Sequence, residues 1–237
     1  MPEQLDSAKV EEFVRWFLRL NGYFGIESFI VHAADDPTRI SNGMIAPHTE
    51  TDTIAVRMPY SKEIAGSLKI ANYPRLIANS DQRFDVVIAE AKGGDDTRPN
   101  PVWRDCRVDY PVKYIVRFIG LYESEAEVTA VAKSLLTKYC YEDEKCRFRY
   151  IVFSKEANPH YASRGVTYLD LRDIVNFLVE VRGQCWIEEN IGVASIHHQW
   201  NPLVREIFAV ANNQSVPGPQ RSERAYKRFL ELAAKAA

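Results

Sequence analysis

Residues 84–94 read FDVVIAEAKGG, and the sequence is most informative there. The part from Phe84 to Ala91 is a short, continuous apolar run, which is typical of a strand that is covered on both faces of its sheet. Gly93-Gly94 then marks a loop. Glu90 and Lys92 are two residues apart, so the period-two alternation of a strand points both side chains to the same face. We therefore predict a central strand whose end brings a carboxylate and an ammonium group into one site.

The segments around this strand predict a mixed α/β fold. Ser7 is a candidate N-cap, and the apolar residues after it recur at helical spacing until Asn21-Gly22, as in an amphipathic helix. Ser124 and Glu127 form a capping-box pair at the start of a later helix. Other elements follow from β-branched runs and from breaks at proline or glycine. The predicted elements are strands at 25–32, 52–58, 147–153 and 166–169, a loop at 33–49, a helical piece near 62–70, and helices at 110–119, 124–138, 171–182, 203–211 and 222–236.

The pattern predicts one main domain and a terminal helix. We assign residues 1–214 to a single α/β domain, with its core at 7–153 and a C-terminal elaboration at 154–214. A stiff Pro/Gly break at 215–219 separates this domain from the terminal helix, and the terminal segment spans 215–237. The sequence leaves open whether the terminal helix packs on the domain or on a second subunit.

Composition excludes several classes of protein. The chain has 237 residues, 46% of them hydrophobic and 26% charged, which are ordinary values for a globular protein and rule out disordered, collagen-like and coiled-coil chains. The four cysteines have neither CxxC nor zinc-finger spacing, so we expect reduced thiols in a cytoplasmic protein. We expect no membrane partner, because the N-terminus lacks signal-peptide character and no segment approaches the apolar length of a membrane span. The net charge of −2 argues against non-specific coating of nucleic acid but permits a local basic groove.

The order helix, strand, strand, strand, helix, strand, together with three residues, resembles the PD-(D/E)xK, or restriction-endonuclease-like, nuclease superfamily. The three residues are Asp52, which opens the second predicted strand in HTETDTIAV, and the pair Glu90 and Lys92. The resemblance extends to Glu11 on the first helix and covers roughly residues 7–153. Thr51 precedes Asp52 where the superfamily motif has proline. The resemblance implies a restriction-endonuclease-like core, with a mixed central sheet flanked by helices.

The resemblance also implies a metal-dependent nuclease that hydrolyses phosphodiester bonds, in DNA rather than RNA, of a restriction, defence or repair type. By this resemblance Asp52, Glu90 and Glu11 would bind Mg²⁺, for which Mn²⁺ would substitute, and Lys92 would serve the nucleophilic water. Carboxylates are hard oxygen ligands suited to Mg²⁺, which stabilises developing charge and lowers the pKa of a bound water. Cutting both strands of a duplex needs two active sites, so a homodimer is the natural arrangement for such an enzyme. Specificity or activation would come from a separate partner protein.

Further residues are candidates for contacts with nucleic acid. A basic pair four residues apart shares one face of the helix after the active strand, and two arginines lie in the loop after Lys92, beside Trp103. Solvated basic faces and ordinary packing are the alternative interpretations. These four candidates are Lys113, Arg117, Arg98 and Arg104.

Several weaker candidates are interpreted as structural. Glu50 and His48 lie close enough in sequence to be alternative metal ligands, but loop solvation is the simpler interpretation. A second (D/E)xK pattern at Asp143-Glu144-Lys145 follows no apolar strand and sits in a charged stretch, so context separates it from the first.

Three other interpretations of the motif stay open. The chain can be a non-catalytic module that uses a nuclease-like scaffold to bind nucleic acid or protein, in which case Asp52 and Glu90 would point to separate faces. It can be a metal-dependent hydrolase of another phosphate or nucleotide. Glu90 and Lys92 can also form a simple ion pair at the end of a strand, which contributes only about 0–1 kcal/mol when exposed.

Overall fold

The computed structural model describes residues 4–31, 49–62, 64–65, 68–77, 82–184, 201–213 and 215–234, with side-chain detail at all of them except 49, 64–65 and 68–69. Over these residues the chain is α/β, with an open mixed sheet of six strands flanked by helices. The first half contains α1 (Ser7–Leu20), β1 (Tyr23–Val31), β2 (Thr49–Arg57), β3 (Ile64–Ala65), β4 (Leu68–Lys69), α2 (Pro74–Ile77), β5 (Phe84–Lys92), α3 (Pro101–Arg104) and α4 (Tyr110–Ile119). The second half contains α5 (Glu125–Lys138), β6 (Cys140–Glu142), β7 (Cys146–Ser154), α6 (Pro159–Ala162), β8 (Thr167–Asp170), α7 (Leu171–Phe177), a π-helical turn (Leu178–Arg182), α8 (Pro202–Ala211) and α9 (Gly218–Ala233).

The sheet places β5 at its centre, as its continuous apolar run predicts. The strand order is β1-β2-β5-β7-β6, and β8 also pairs with β7. Strand β2 is antiparallel to both β1 and β5, whereas β5 runs parallel to β7 and β7 parallel to β8. Both faces of β5 are covered, since seven consecutive residues in its interior are buried. Its C-terminal end therefore projects two polar side chains from a fully packed strand.

Helices cover the two faces of the sheet and form two apolar cores. Helices α1, α7, α8 and α9 pack on one face, and α4 and α5 pack on the other. The terminal helix α9 belongs to the first of these cores, where the rings of Phe229 and Phe13 lie 4.7 Å apart between their centroids. The sequence left open whether the terminal helix packs on the domain or on a second subunit. In the structure α9 packs on α1, α7 and α8 of the same chain. None of the helices among the described residues combines the length and the apolar character that crossing a bilayer requires.

The N-terminal segment contacts both the end of β5 and the end of α9. The Leu5 backbone N–H donates to the Gly93 carbonyl at 3.1 Å, and the Asp6 N–H donates to the Ala233 carbonyl at 2.8 Å. A Cβ atom at Gly93 would lie 2.8 Å from the Leu5 carbonyl oxygen, which is too close for any other residue without a backbone shift. Gly93 thus allows the N-terminal segment, which also contacts the end of α9, to lie directly against the strand that carries Glu90.

Most of the predicted elements are present, with small shifts at their ends. The capping box at Ser124 is confirmed, and so is the Asp170 cap of α7. The N-cap of α1 is Asp6 and not Ser7, because the Asp6 carboxylate accepts the Ala8 N–H at 3.0 Å. The terminal helix starts at Gly218, four residues before the predicted position, because Pro219 lies in its first turn, where a proline is tolerated.

Two predictions are wrong. Asp52 does not open β2 but is its fourth residue, because the threonines that precede it continue the pairing with β1 as far as Val31. The helical piece predicted near 62–70 is a two-stranded hairpin, in which Ile64 pairs with Lys69 and Ala65 with Leu68. Gly66-Ser67, a typical two-residue hairpin connection, separates these two runs in the sequence. Of the predicted loop at 33–49, residues 33–48 and with them the candidate ligand His48 lie outside the described residues, and Thr49 already belongs to β2.

Candidate active site

A fork between β2 and β5 creates the site. The antiparallel ladder between these strands ends at the pair Thr53–Ala89, beyond which β2 stays paired with β1 and β5 stays paired with β7. Continuing the register by one residue would pair Asp52 with Glu90. Instead of a ladder bond, the Asp52 carboxylate accepts a hydrogen bond from the Ala91 backbone N–H at 2.7 Å. The fork therefore holds Asp52 against the end of the strand that carries Glu90 and Lys92.

Glu90 and Lys92 are in contact, as the strand alternation predicts. The Lys92 ammonium forms an ion pair with Glu90 Oε1 and donates a hydrogen bond to Asn100 Oδ1 at 2.9 Å. Glu90 Oε2 accepts the Asn100 backbone N–H at 3.1 Å. The Glu90 residue is only 3% exposed, whereas the Lys92 side chain is 21% exposed. The carboxylate is thus held inside the protein, and the ammonium lies between it and the surface.

Burial disfavours the ionised form of both carboxylates. Burial raises the pKa of Glu90 to about 7, against the opposing effects of the Lys92 ammonium and the Asn100 N–H, while the charge of Asp52 adds to the rise. Burial also raises the pKa of Asp52, and the hydrogen bond from Ala91 opposes that rise. When both groups ionise, two negative charges face one ammonium. The site therefore carries an unbalanced negative charge and favours an additional cation.

The donor set fits a hard divalent cation. Among the described residues, Glu90 Oε1 contacts only the Lys92 ammonium, and Oε2 accepts only the Asn100 backbone N–H. Asp52 and Glu90 would hold Mg²⁺ or Mn²⁺, which prefer oxygen ligands, and Mg²⁺ usually keeps several waters beside one or two carboxylates. In the described parts of the chain no three His, Cys, Asp or Glu side chains converge closely enough to form a metal site by themselves. A two-carboxylate site completed by water and substrate is the arrangement that these residues can form.

Glu11 lies on the Asp52 side of the site. It is half-buried, and burial raises its pKa, followed by the negative charge of Asp52 and, more weakly, that of Glu50. Glu11 and Asp52 thus interact electrostatically, but the three predicted ligands Glu11, Asp52 and Glu90 do not form one cluster. Its role as a metal ligand or as a holder of a metal-bound water stays a prediction.

Asn100 is a site residue that the sequence did not reveal. It precedes the proline that starts α3, where an asparagine is expected to cap the helix, but its side chain forms no cap hydrogen bond. The side-chain oxygen instead accepts from Lys92, and the backbone N–H donates to Glu90. The only signal in the sequence is an Asn-Pro pair ten residues after Glu90, which indicates a turn and not a site.

Two aromatic anchors hold the loop that carries Asn100. The Tyr168 hydroxyl of β8 donates to the Thr97 carbonyl at 2.8 Å. On the other side of Asn100, the buried Trp103 ring stacks on Tyr150 with 4.3 Å between centroids. Trp103 therefore packs in the core, in accord with the packing interpretation. These two anchors lie before and after Asn100 in the chain. The loop is therefore positioned by β7 and β8, which lie on the opposite side of β5 from β2.

A second carboxylate on β5 is neutralised and so differs from Glu90. Asp85 is fully buried at the start of the strand, where Arg147 and Arg149 each approach its Oδ2 at 2.7 Å. The Tyr23 hydroxyl also donates to Asp85 at 2.6 Å. Buried carboxylates with this many partners are structural, because every acceptor is already used. Glu90, at the other end of the same strand, has one ammonium partner and one backbone N–H, and among the described residues no second cation pairs with it.

The second (D/E)xK pattern forms a turn. Asp143 Oδ1 accepts the backbone N–H groups of Lys145 and Cys146, both at 2.8 Å, between β6 and β7. Its other oxygen accepts the Tyr122 hydroxyl. The Lys145 ammonium lies 5.2 Å from the centroid of the Tyr122 ring and not on a carboxylate. The structural interpretation of this stretch agrees with these contacts.

The four predicted nucleic-acid contacts stay predictions. Three of them form ion pairs with nearby carboxylates: Arg98 with Asp96 at 2.7 Å, Lys113 with Asp109 at 2.6 Å, and Arg117 with Glu125 at 2.6 Å. Arg104 is half-buried at the end of α3. Exposed ion pairs are weak, so a phosphate can replace the carboxylate partner at small cost.

No protein-family model matches this chain, and neither curated proteins nor solved structures give a match. The resemblance to the restriction-endonuclease-like superfamily therefore depends on the residues quoted above.

Proposed function

We propose that this protein is a metal-dependent nuclease of the PD-(D/E)xK type, and that its sheet and flanking helices form a restriction-endonuclease-like core. The observation that carries the proposal is the fork between β2 and β5. At the fork the Asp52 carboxylate is hydrogen-bonded to the backbone N–H of Ala91. Ala91 is the residue between Glu90 and Lys92 in the sequence. A strand-end ion pair alone would not require a third charged residue fixed at this position.

Each residue of the site would have a different role in phosphodiester hydrolysis. Asp52 and Glu90 would hold the divalent cation, which when bound supplies charge stabilisation on the phosphate and a more acidic water. Lys92 is placed to orient the attacking water as an ammonium or, once it has given up its own proton, to take the proton of that water as a neutral amine. The Asn100 side chain fixes the Lys92 ammonium, and its backbone N–H fixes Glu90.

A non-catalytic binding module is the second candidate function. The observation in its favour is that Lys92 and Asn100 together engage both oxygens of Glu90, which leaves the residue only 3% exposed. Such a pair can serve structure alone. This candidate was expected to place Asp52 and Glu90 on separate faces, and their convergence at the fork favours the nuclease.

Cleavage with defined metals tests the proposal. Purified protein is incubated with supercoiled plasmid, linear duplex DNA, single-stranded DNA and RNA, each with Mg²⁺, Mn²⁺ or EDTA. We expect cleavage that needs Mg²⁺ or Mn²⁺, that EDTA abolishes, and that Glu90→Ala eliminates. The matched control is Glu144→Ala, an exposed residue of the second (D/E)xK stretch, which should cleave like the wild type. The substrate panel also reports the choice between DNA and RNA.

Two results would contradict the nuclease proposal. One is equal cleavage by Glu90→Ala and the wild type. The other is a complete absence of cleavage together with equal Mg²⁺ binding by both proteins in calorimetric titration, which would favour the binding module.

Asn100→Ala is expected to slow cleavage by about 10- to 150-fold. The substitution removes the acceptor for the Lys92 ammonium, and a hydrogen bond to a charged group is worth about 1.5–3 kcal/mol. The backbone N–H that reaches Glu90 remains, so the affinity for Mg²⁺ should stay unchanged. Single-turnover cleavage measures the first effect, and calorimetry measures the second. A loss of Mg²⁺ affinity with an unchanged rate would show that Asn100 acts on Glu90 and not on Lys92.

A further inference from the structure

The first strand of the sheet, β1, lies at its edge. Among the described residues β1 pairs only with β2, so the outer side of its backbone has no strand beside it. The strand spans nine residues and contains neither proline nor lysine, which commonly protect edge strands from pairing. Its one charged residue, Glu27, forms an ion pair with Arg15 of α1 at 3.2 Å. Strand β1 thus offers a long, uncharged edge to a further strand.

The large hydrophobic side chains that are exposed in the described part of the chain all lie on β1 or close to it. In the first half of the strand, Phe24 is 69% exposed and Ile26 is 45% exposed. Phe118 of α4 lies beside the strand, because its ring centroid is 4.5 Å from that of Phe29. The full set is Phe24, Ile26, Ile30, Met58, Tyr60 and Phe118. A cluster of exposed apolar side chains of this kind marks an interaction surface.

Met58 and Tyr60 extend this surface beyond the start of β1. Both belong to the turn that follows β2. Because Arg57, the last residue of β2, pairs with Tyr23, the turn adjoins the first residue of β1. A Cβ atom at Gly22 would lie 3.2 Å from Ser61 Oγ, which shows how closely the turn approaches the chain just before β1.

Phe24 and Ile26 continue an apolar surface that is covered on the neighbouring strand. In the register of β1 and β2, Phe24 lies beside Val56 and Ile26 lies beside Ile54. Ile54 is buried in the core beneath α4 and α5, and Val56 packs against that core. The apolar rows therefore run from a covered strand to an uncovered edge. A strand added beyond β1 would bring side chains against both residues.

We infer that β1 is a dimerisation strand, which pairs antiparallel with β1 of a second copy of this chain and joins the two sheets across a two-fold axis. Two identical strands in antiparallel arrangement are self-complementary, and their pairing closes both edges at once. Charge favours the same partner, because Glu27 and Arg15 neutralise each other within one copy and two such edges meet without net repulsion. The inference concerns assembly and does not depend on the proposed nuclease function.

Two local features favour a register with the axis at Gly25. Ser28 has a φ of 47°, outside the extended region, so regular pairing is expected over residues 23–27, before it. An axis at Glu27 would set two carboxylates opposite each other, which destabilises a sheet. With the axis at Gly25, Phe24 lies opposite Ile26 of the partner subunit, an aromatic and β-branched pair that favours cross-strand packing.

Sedimentation velocity across the micromolar range tests the assembly. We expect the wild type to dimerise, and Ile26→Lys to raise the dissociation constant of the dimer by about 30-fold or more, the effect of losing a central interface residue. Phe24→Lys should act in the same way and keeps the inference testable if Ile26→Lys does not fold. Ala130→Lys adds the same charge at an exposed position of α5 and should dimerise like the wild type. Thermal melting checks that each variant is folded.

Disulfide cross-linking tests the register. Opposite residues of an antiparallel pair have Cα atoms about 4.5–5.5 Å apart, which a disulfide can bridge. Position 24 and its own copy would be about 8 Å apart, which is too far. A mixture of Phe24→Cys and Ile26→Cys, oxidised with copper phenanthroline, should therefore give a linked dimer that neither variant gives alone. The wild type reports the background from the exposed Cys106 and Cys140.

Several results would overturn the inference. One is a wild type that stays monomeric over the whole range. Another is a dimer that folded Ile26→Lys and Phe24→Lys leave intact, because it would use a different surface. Open-ended assemblies would also contradict it, since a two-fold pairing closes the edge of both copies. A linked dimer no more abundant in the cysteine mixture than in the wild type would exclude the strand pairing itself.

Discussion

Replacing Lys92 with methionine is expected to reduce the rate of phosphodiester cleavage by about 10²- to 10⁴-fold, the range typical of a single group that transfers or orients a proton. Methionine keeps the length of the side chain and removes its charge. The ammonium touches Glu90 and Asn100 and is the only lysine side chain within the described site. Neither contact partner can replace the ammonium at the position of Nζ, because the Asn100 side chain is a neutral amide and Glu90 would be occupied by the cation.

The second (D/E)xK stretch supplies the matched control for this substitution. Lys145 follows Asp143 with the same spacing as Lys92 follows Glu90, but its ammonium lies over the Tyr122 ring. Lys145→Met should therefore cleave at the wild-type rate. Rates are compared under single-turnover conditions with saturating Mg²⁺, and calorimetry checks that Lys92→Met still binds the metal. If Lys92→Met cleaves as fast as Lys145→Met, Lys92 has no part in the chemistry.

The sequence predicts the centre of this fold because its signal is local. A continuous apolar run marks β5 as a strand covered on both faces, and the spacing of Glu90 and Lys92 determines that they share a face. The fork depends on non-local pairing, in which β2 stays with β1 after it leaves β5. For that reason the sequence gives Asp52 as a candidate but misplaces it at the start of the strand.

Asn100 could not be predicted, because contacts between distant segments determine its position. The loop is held through Thr97 by Tyr168 of β8 and through Trp103 by Tyr150 of β7. No pattern near Asn100 specifies these partners. A local Asn-Pro signal instead favours a helix cap, and the tertiary contact to Lys92 replaces it.

Buried charge compensation is also set by tertiary contacts. The run FDVVIAEAK contains two acidic residues, Asp85 and Glu90, and nothing in the run distinguishes them. The parallel register of β7 places Arg147 directly beside Asp85 and, two residues further along, brings Arg149 to the same carboxylate. The same register places Val152 beside Glu90. Strand β7 thus neutralises one end of β5 and leaves the other end short of positive charge.

The unfolding free energy of the metal-free protein is expected to depend on pH through Glu90. Because the pKa of Glu90 is about 7 in the folded protein against 4.5 for an ordinary glutamate, the folded state keeps a proton that the unfolded chain has lost. Stability is therefore greatest below the unfolded pKa and declines as pH rises through 7. Between about pH 5.5 and about pH 8.5 this single group should cost roughly 2 kcal/mol.

Glu90→Gln isolates this contribution, because glutamine keeps the size of the side chain and cannot ionise. Urea unfolding of the wild type and of Glu90→Gln is compared across this pH range in EDTA, which leaves the effects of Asp52 and Glu11 common to both. The variant should gain stability relative to the wild type as pH rises, and Mg²⁺ above pH 7 should stabilise only the wild type, since a ligand stabilises the state that binds it. The control is Glu144→Gln, whose exposed side chain should leave the profile unchanged. Parallel pH profiles of the unfolding free energy for Glu90→Gln and the wild type would mean that Glu90 is ionised throughout. Glu90 and Lys92 would then form a simple ion pair at the end of a strand and not part of a cation site.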